Sequence, residues 1–328
     1  MIKPGKKNNI CDVEGILVGN ACDNKDVTGV TVVLPSKRVV AGVDVRGGAP
    51  GTREVELLKP ENFVQEIDAI VLSGGSVFGL EAASAVTNWL SYNNKGIDFY
   101  KTKIPIVPSA IIFDFPINYE RNWSIETPFK KLAFEACEKA STDTLLGNIG
   151  AGLGATAGTI KGGLGSASYT IDNEIIVGAL AIANPAGSVL IPGSNKFWAG
   201  NLEYRDEFGG LGSANISDQE ILSQQLISEG FNTTICVVAT NYILDKAEST
   251  RVAIMAQDGI ARAIRPVHTP KDGDVVFALS TCEKDSGIDR PVMIEQIGTL
   301  AGDCISRSIA RAIYNAQTIG NYRGFQEL

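Results

Sequence analysis

The glycines of this chain are gathered rather than scattered, and that gathering limits what it can fold into. One cluster is AGVDVRGGAPGTRE (41–54), a second is VLSGGSVFGLEAA (71–83), and the densest is GNIGAGLGATAGTIKGGLGSAS (147–168). Glycine supplies 35 of the 328 residues, against an average share of about 7%. Flexible linkers are glycine-rich too, but these stretches are studded with Val, Ile, Leu and Ala. They read as packed turns and as places where one backbone runs close against another, not as tethers.

Apolar runs between and within the clusters read as strands: 29–35, 69–74, 104–113, 174–185, 234–240 and 274–281. Helical spacing appears over 76–93, 128–141, 217–230, 246–264 and 294–317, the third opening on a Ser/Asp cap and closing on Gly230. Strands and helices mix without a strict βαβ repeat, a linker or a repeat of 20–50 residues. One large layered α/β domain over residues 1–328 is the expectation.

The net charge of -8, with no basic run longer than a Lys-Lys pair, argues against a nucleic-acid surface. No window approaches 18 uninterrupted apolar residues, so no membrane span is expected. The first fifteen residues carry positive charge with no apolar core after it, unlike a secretory signal, which favours a cytoplasmic protein. The six cysteines form no C-x-x-C pair and read as reduced, mostly buried thiols. A single histidine, His268, leaves little room for a His-rich metal site.

Some motifs point to chemistry only weakly. GAGLGA (150–155) approaches a dinucleotide fingerprint, with Asp172 about 20 residues on, but a poor strand precedes it and four glycines follow where a helix is required. SGGSVFGLEAA (73–83) resembles an anion-binding turn without the Lys-Ser/Thr of a P-loop, so tight strand-to-helix packing is the plainer account. His268 fits a general base or a structural loop residue. Cys236, inside an apolar run, fits inert core.

Residues 229–240 read EGFNTTICVVAT. Ile235 to Ala239 form an apolar run, with Asn232, Thr233 and Thr234 at its mouth. Two threonines there fit ordinary β-propensity, and one of them also fits a nucleophile. A threonine hydroxyl needs an activating base. One economical source is its own α-amino group, which exists only if the chain is cut just before Thr233. The reference pKa of such an amine, about 7.7–8.0, suits general-base work near neutral pH.

The stretches VEGILVGN, GVTVVLP, AGVDVRGGAPGTRE, AIVLSGGSVFGLEAA, GNIGAGLGAT, KGGLGSAS, NTTICVVAT and DGIARAIRPVHTPKDGDVVFAL run in order over residues 13–281. Together they resemble the family of L-aminopeptidase D-Ala-esterase/amidases and β-peptidyl aminopeptidases. The nylon-oligomer hydrolase branch is the nearer in flavour, because Thr follows Asn at the nucleophile. The resemblance implies an N-terminal-nucleophile hydrolase with a four-layer αββα sandwich. It implies a precursor that cuts itself between Asn232 and Thr233, giving an α chain 1–232 and a β chain 233–328.

The same resemblance assigns roles. Thr233 becomes the catalytic nucleophile. Asp272 and Asp274 match an Asp-x-Asp that orients the nucleophile and its amine. Spacing of two puts both carboxylates on one face of a strand entry, although KDGD also reads as a turn. Asn184 matches an oxyanion donor, with an Asn-Pro turn as the plainer account. Lys161 matches a lysine that holds charge on the Asp pair. Tyr119 matches, in a divergent local pattern, a tyrosine lining the site. Gly150 to Gly154 let backbone run close to the nucleophile. No cofactor or metal is implied. The implied partners are a small peptide or amide substrate and further copies of the chain, as a tetramer of αβ units. A catalytically silent, unprocessed relative that binds small molecules is the alternative.

Overall fold

The computed structural model describes residues 1–213 and 232–328, and the helix expected over 217–230 lies outside them. Two sheets and four helices carry the architecture among the described residues. The smaller sheet runs β2 (Ile16–Asp23), β3 (Thr28–Pro35), β7 (Ile70–Ser73), β8 (Ser109–Ile111) and β5 (Thr52–Arg53). The larger runs β1 (Ile2–Lys3), β9 (Gly163–Ile171), β10 (Ile175–Asn184), β11 (Thr233–Tyr242), β12 (Val275–Lys284), β4 (Val39–Val45) and β6 (Glu66–Ile67). The helices are α1 (Glu81–Tyr92), α2 (Phe129–Glu138), α3 (Lys246–Ala263) and α4 (Arg290–Tyr314).

The layering follows from period-two alternation along strands that are apolar on both faces. In β11, Ile235, Val237 and Ala239 face the smaller sheet and meet Val33, Ile70 and Leu72. Cys236 and Val238 face the other way, toward Val252 and Ala256 of α3 and Ile305 of α4. The outer face of the smaller sheet, with Val30, Val32 and Val71, packs on Val86 and Leu90 of α1 and Leu132 of α2. The order is helix, sheet, sheet, helix: the four-layer αββα sandwich.

The glycine clusters serve this stacking. A Cβ on Gly165 of β9 would stand 1.9 Å from the Ser308 carbonyl of α4, and one on Gly42 of β4 would stand 2.2 Å from the Thr250 nitrogen of α3. Helix backbone therefore lies directly on strand backbone. The end of the densest cluster, from Gly163 on, is accordingly strand β9 and not turn, its alternation hidden because Gly and Ser replace bulky residues. The run 104–113 is broken by Pro105 and Pro108, which remove ladder donors: Ile104 ends a short hairpin opposite Ile97, and only Ser109–Ile111 joins the smaller sheet. Gly150–Gly152 is one 3₁₀ turn followed by a two-residue hairpin, so GAGLGA has no helix to receive a pyrophosphate.

A buried ion pair ties distant segments together. Arg307 of α4 is wholly buried; its Nε donates to Glu207 Oε1 at 2.6 Å, and Nη2 donates to Glu207 Oε2 at 2.9 Å and Asn8 Oδ1 at 2.8 Å. Its Nη1 donates to the Ser168 carbonyl at 3.1 Å. All six cysteines are unpaired. No helix among the described residues is long and apolar enough to cross a membrane.

Candidate active site

The site lies where two parallel strands begin side by side. β11 and β12 pair in parallel with Ile235 opposite Val275, so Thr233 and Thr234 lie beside Gly273 and Asp274. On the other flank β10 runs antiparallel, with Asn184 opposite Thr233. Thr233 is buried, and its Oγ1 donates to the carbonyl oxygen of Asn232 at 2.6 Å. The Gly273 N–H donates to that same oxygen at 3.0 Å. Two donors thus converge on the carbonyl that precedes Thr233. The neighbouring Thr234 hydroxyl is buried with no hydrogen-bond partner among the described residues, so the geometry separates the two threonines.

Gly273 must be glycine for this arrangement. A Cβ there would stand 2.7 Å from Thr233 Oγ1 and 2.9 Å from the Ala49 carbonyl oxygen. Sequence reasoning passed over it. The signal was present as the residue between two aspartates in KDGD, which turn chemistry alone explains equally well.

Both carboxylates are buried and held by N–H groups. Asp274 Oδ1 accepts from the Thr234 N–H at 2.7 Å. Its Oδ2 accepts from the His268 N–H at 3.1 Å and faces His268 Nδ1 at 2.8 Å. Asp272 Oδ2 accepts from the Thr269 N–H at 2.8 Å, and Oδ1 from the Ala186 N–H at 3.4 Å. Burial pushes the Asp272 carboxyl above its ordinary range, and the neighbouring Asp274 charge pushes it further. The loop after β4 braces the pair, since the Ala49 N–H donates to the Asp272 carbonyl at 2.7 Å and the Arg46 N–H to the Asp274 carbonyl at 3.0 Å.

Lys161 is wholly buried, but its partners differ from those expected. Its Nζ donates to the carbonyls of Ala155 at 2.7 Å, Gly162 at 2.8 Å and Gly152 at 3.2 Å. No ion pair joins it to Asp272 or Asp274 among the described residues. Burial draws its pKa down to about 7, and Asp114 is the carboxylate that pulls it back up. Gly152, within the stretch expected to border the nucleophile, thus spends its carbonyl on the lysine.

Asp114 is a buried acid the sequence did not flag. It accepts from the Gly75 N–H at 2.9 Å, from Thr28 Oγ1 at 2.6 Å and from Arg121 Nη2 at 2.9 Å. The anion on the SGGSVFGLEAA turn is therefore the protein's own. A lone acid closing the apolar run AIIFD was the available hint.

Asn184 is wholly buried with both ends of its amide engaged: Oδ1 accepts from the Thr156 N–H at 2.8 Å and Nδ2 donates to the Phe113 carbonyl at 3.2 Å. Tyr119 is 72% exposed on an irregular segment. The structure brings Thr233, Asn232, Asn184, Asp272 and Asp274 together, sets Lys161 behind them in the glycine-rich backbone, and joins Tyr119 to none of them by a hydrogen bond.

The sequence profile of Peptidase family S58 matches residues 8–326. The chain belongs to peptidase family S58. An uncharacterized aminopeptidase of Mycobacterium tuberculosis is 38% identical, over 98% of each chain. A 6-aminohexanoate-oligomer endohydrolase of Kocuria is 31% identical, over 86% of this chain and 77% of that one. Among solved structures, a Burkholderia β-aminopeptidase superposes with a TM-score of 0.70 at 20% identity, covering 99% of this chain and 91% of that one. The L-aminopeptidase D-Ala-esterase/amidase of Ochrobactrum anthropi, described as a new variant of the Ntn hydrolase fold, gives 0.69 at 19%, covering 97% and 89%. This S58 peptidase has that fold, and it is a hydrolase of amide or peptide bonds.

Proposed function

We propose that this S58 chain processes itself at Asn232–Thr233 and then hydrolyses small peptides or amides through an acyl-enzyme on Thr233. The observation that carries the reading is the pair of donors on the Asn232 carbonyl, Thr233 Oγ1 at 2.6 Å and the Gly273 N–H at 3.0 Å. A hydroxyl hydrogen-bonded to the carbonyl of the bond it must cleave keeps the nucleophile beside that bond, and the Gly273 N–H polarises the same carbonyl. In self-cleavage Oγ1 bonds to the carbonyl carbon, and the carbonyl π pair moves onto the oxygen that the Gly273 N–H holds. The C–N bond breaks, the hydroxyl proton ends on the departing nitrogen, and water hydrolyses the resulting ester.

The freed amine of Thr233 is then the base for every later cycle, with a reference pKa of about 7.7–8.0. It takes the hydroxyl proton as Oγ1 attacks the substrate carbonyl and returns it to the leaving amine. Asp274 and Asp272 orient the nucleophile, and the Asn184 amide supplies an oxyanion donor once substrate displaces its present partner. Lys161 acts at longer range, through the glycine-rich backbone it organises. Names of relatives favour an aminopeptidase or an endohydrolase of 6-aminohexanoate oligomers, both of which cleave amides. Residues 1–232 and 233–328 stay together because β11 pairs along its length with β10 from the other piece.

A denaturing gel with intact mass tests this. Wild-type protein is expected as two fragments with a new N-terminus at Thr233, and Thr233→Ala as one chain. A wild type that stays whole, or a Thr233→Ala protein that is cut at the same bond, overturns the reading.

A further inference from the structure

His268 is the chain's one histidine, and the mechanism above gives it nothing to do. Its geometry is not that of an idle loop residue. Its backbone sits at φ +52°, in the left-handed region that Asn, Asp and Gly tolerate best. In that conformation one residue delivers two contacts to one oxygen: its N–H lies 3.1 Å and its Nδ1 2.8 Å from Asp274 Oδ2. A carboxylate only accepts, so Nδ1 is the protonated ring nitrogen. The opposite oxygen of Asp274 accepts from the Thr234 N–H at 2.7 Å. Asp274 is buried, and its orientation is therefore set by His268 at one end and by the residue after the nucleophile at the other.

We infer that His268 is a positioning residue: its ring N–H fixes the Asp274 carboxylate, which through the Thr234 N–H keeps the Thr233 hydroxyl seated on the Asn232 carbonyl. The inference rests on the reading of Thr233 as the self-cleaving nucleophile. It makes the imidazole a donor to the orienting acid, not the base for Oγ1.

Self-cleavage needs no substrate, so its rate in freshly made precursor is the readout. His268→Gly keeps the left-handed backbone and its N–H but removes the ring donor. His268→Asn tolerates the same backbone and restores a side-chain N–H near the position of Nδ1. Glycine is expected to slow cleavage on the order of 100-fold, the cost of a displacement of about 1 Å, and asparagine to recover most of that loss. A His268→Gly precursor as fast as wild type, or a His268→Asn precursor as slow as His268→Gly, overturns the inference. If His268→Gly does not fold, hydrogen exchange at the Thr234 amide decides within the uncut Thr233→Ala protein. Faster exchange in His268→Asp than in the isosteric His268→Asn supports the clasp, and equal rates overturn it. Failure of the parent reading has its own signature: Thr233→Ala is cut at the same bond, or wild type never is, and the inference falls with it.

Discussion

Two regions beside strand β11 bury charge by opposite means. The Asp272–Gly273–Asp274 segment holds two carboxylates with N–H groups, four from the backbone and one from the His268 ring. The glycine-rich stretch around Lys161 holds one ammonium with three backbone carbonyls. Neither region relies on an ion pair with the other. Backbone dipoles do in both places what a salt bridge would otherwise do, and backbone dipoles are aimed by turns. The dense glycine of this sequence is thus also an electrostatic device, because it decides which way carbonyls and N–H groups point.

The sharpest way to break this comparison is to remove the ammonium. Lys161 has an ordinary pKa of 10.5 and about 7 in the fold. Below pH 7 folded and unfolded chains both carry the proton, and the cost of burying it is fully present. From pH 7 to 10.5 the unfolded chain keeps the proton while the fold releases it, so stability rises with pH across that window, by on the order of 5 kcal/mol. Denaturant titrations in the uncut Thr233→Ala background are expected to show this rise, and Lys161→Met is expected to lose it. Parallel curves for the two proteins would mean that the carbonyls satisfy the ammonium completely.

The next effect concerns the carboxylate side. Gly273→Ala places a methyl 2.7 Å from Thr233 Oγ1 and 2.9 Å from the Ala49 carbonyl oxygen at a residue whose φ is not left-handed, so the hydroxyl and the 46–49 loop must both give way. Self-cleavage is expected to slow by about 100-fold, read as the half-time of precursor on a gel. An unchanged half-time would remove Gly273 from the site.

Asp272 gives a smaller, pH-dependent effect. Its raised pKa means that it takes up a proton as pH falls earlier than an ordinary carboxylate does. The sign for stability is that the folded state favours the protonated form, an advantage lost as pH rises from 3.8 through the folded value. If Asp272 orients Thr233 in its charged form, as proposed, self-cleavage is expected to fall toward acid pH. Asp272→Asn should run about tenfold slower at neutral pH with a flattened acid limb. A pH–rate profile with the wild-type limb intact in the variant would reassign that limb. The smallest effect belongs to exposed Tyr119: Tyr119→Phe is expected to change the self-cleavage rate by less than about twofold, and a larger change would place the phenol in the site.

Legibility followed side-chain chemistry and failed where backbone geometry decided. The strand runs at 174–185, 234–240 and 274–281 emerge as β10, β11 and β12, because apolar side chains on both faces leave an unbroken signal. The 246–264 pattern becomes α3, with Asp245 and Glu248 forming its capping box. β9 was hidden by its own glycines. At the site, Thr233, Asn184 and the Asp pair became legible through family resemblance, and their convergence is consistent with it. Three features were only faintly legible: Lys161 among glycines reads as solvated without the resemblance, the His268 contact depends on one positive φ, and Gly273 between two aspartates reads equally well as a turn residue.

The buried Arg307 has a consequence for anyone who treats the two pieces as separable. Among the described residues, every hydrogen-bond acceptor of its guanidinium, in Glu207, Asn8 and Ser168, lies before residue 232. If the proposed cut occurs, a fragment beginning at Thr233 and isolated from its mate would lose these acceptors together with strands β9 and β10, opening the apolar face of α4 to water. Co-expressing residues 1–232 and 233–328 as two genes should therefore yield either a heterodimer or inclusion bodies, with no soluble half between them.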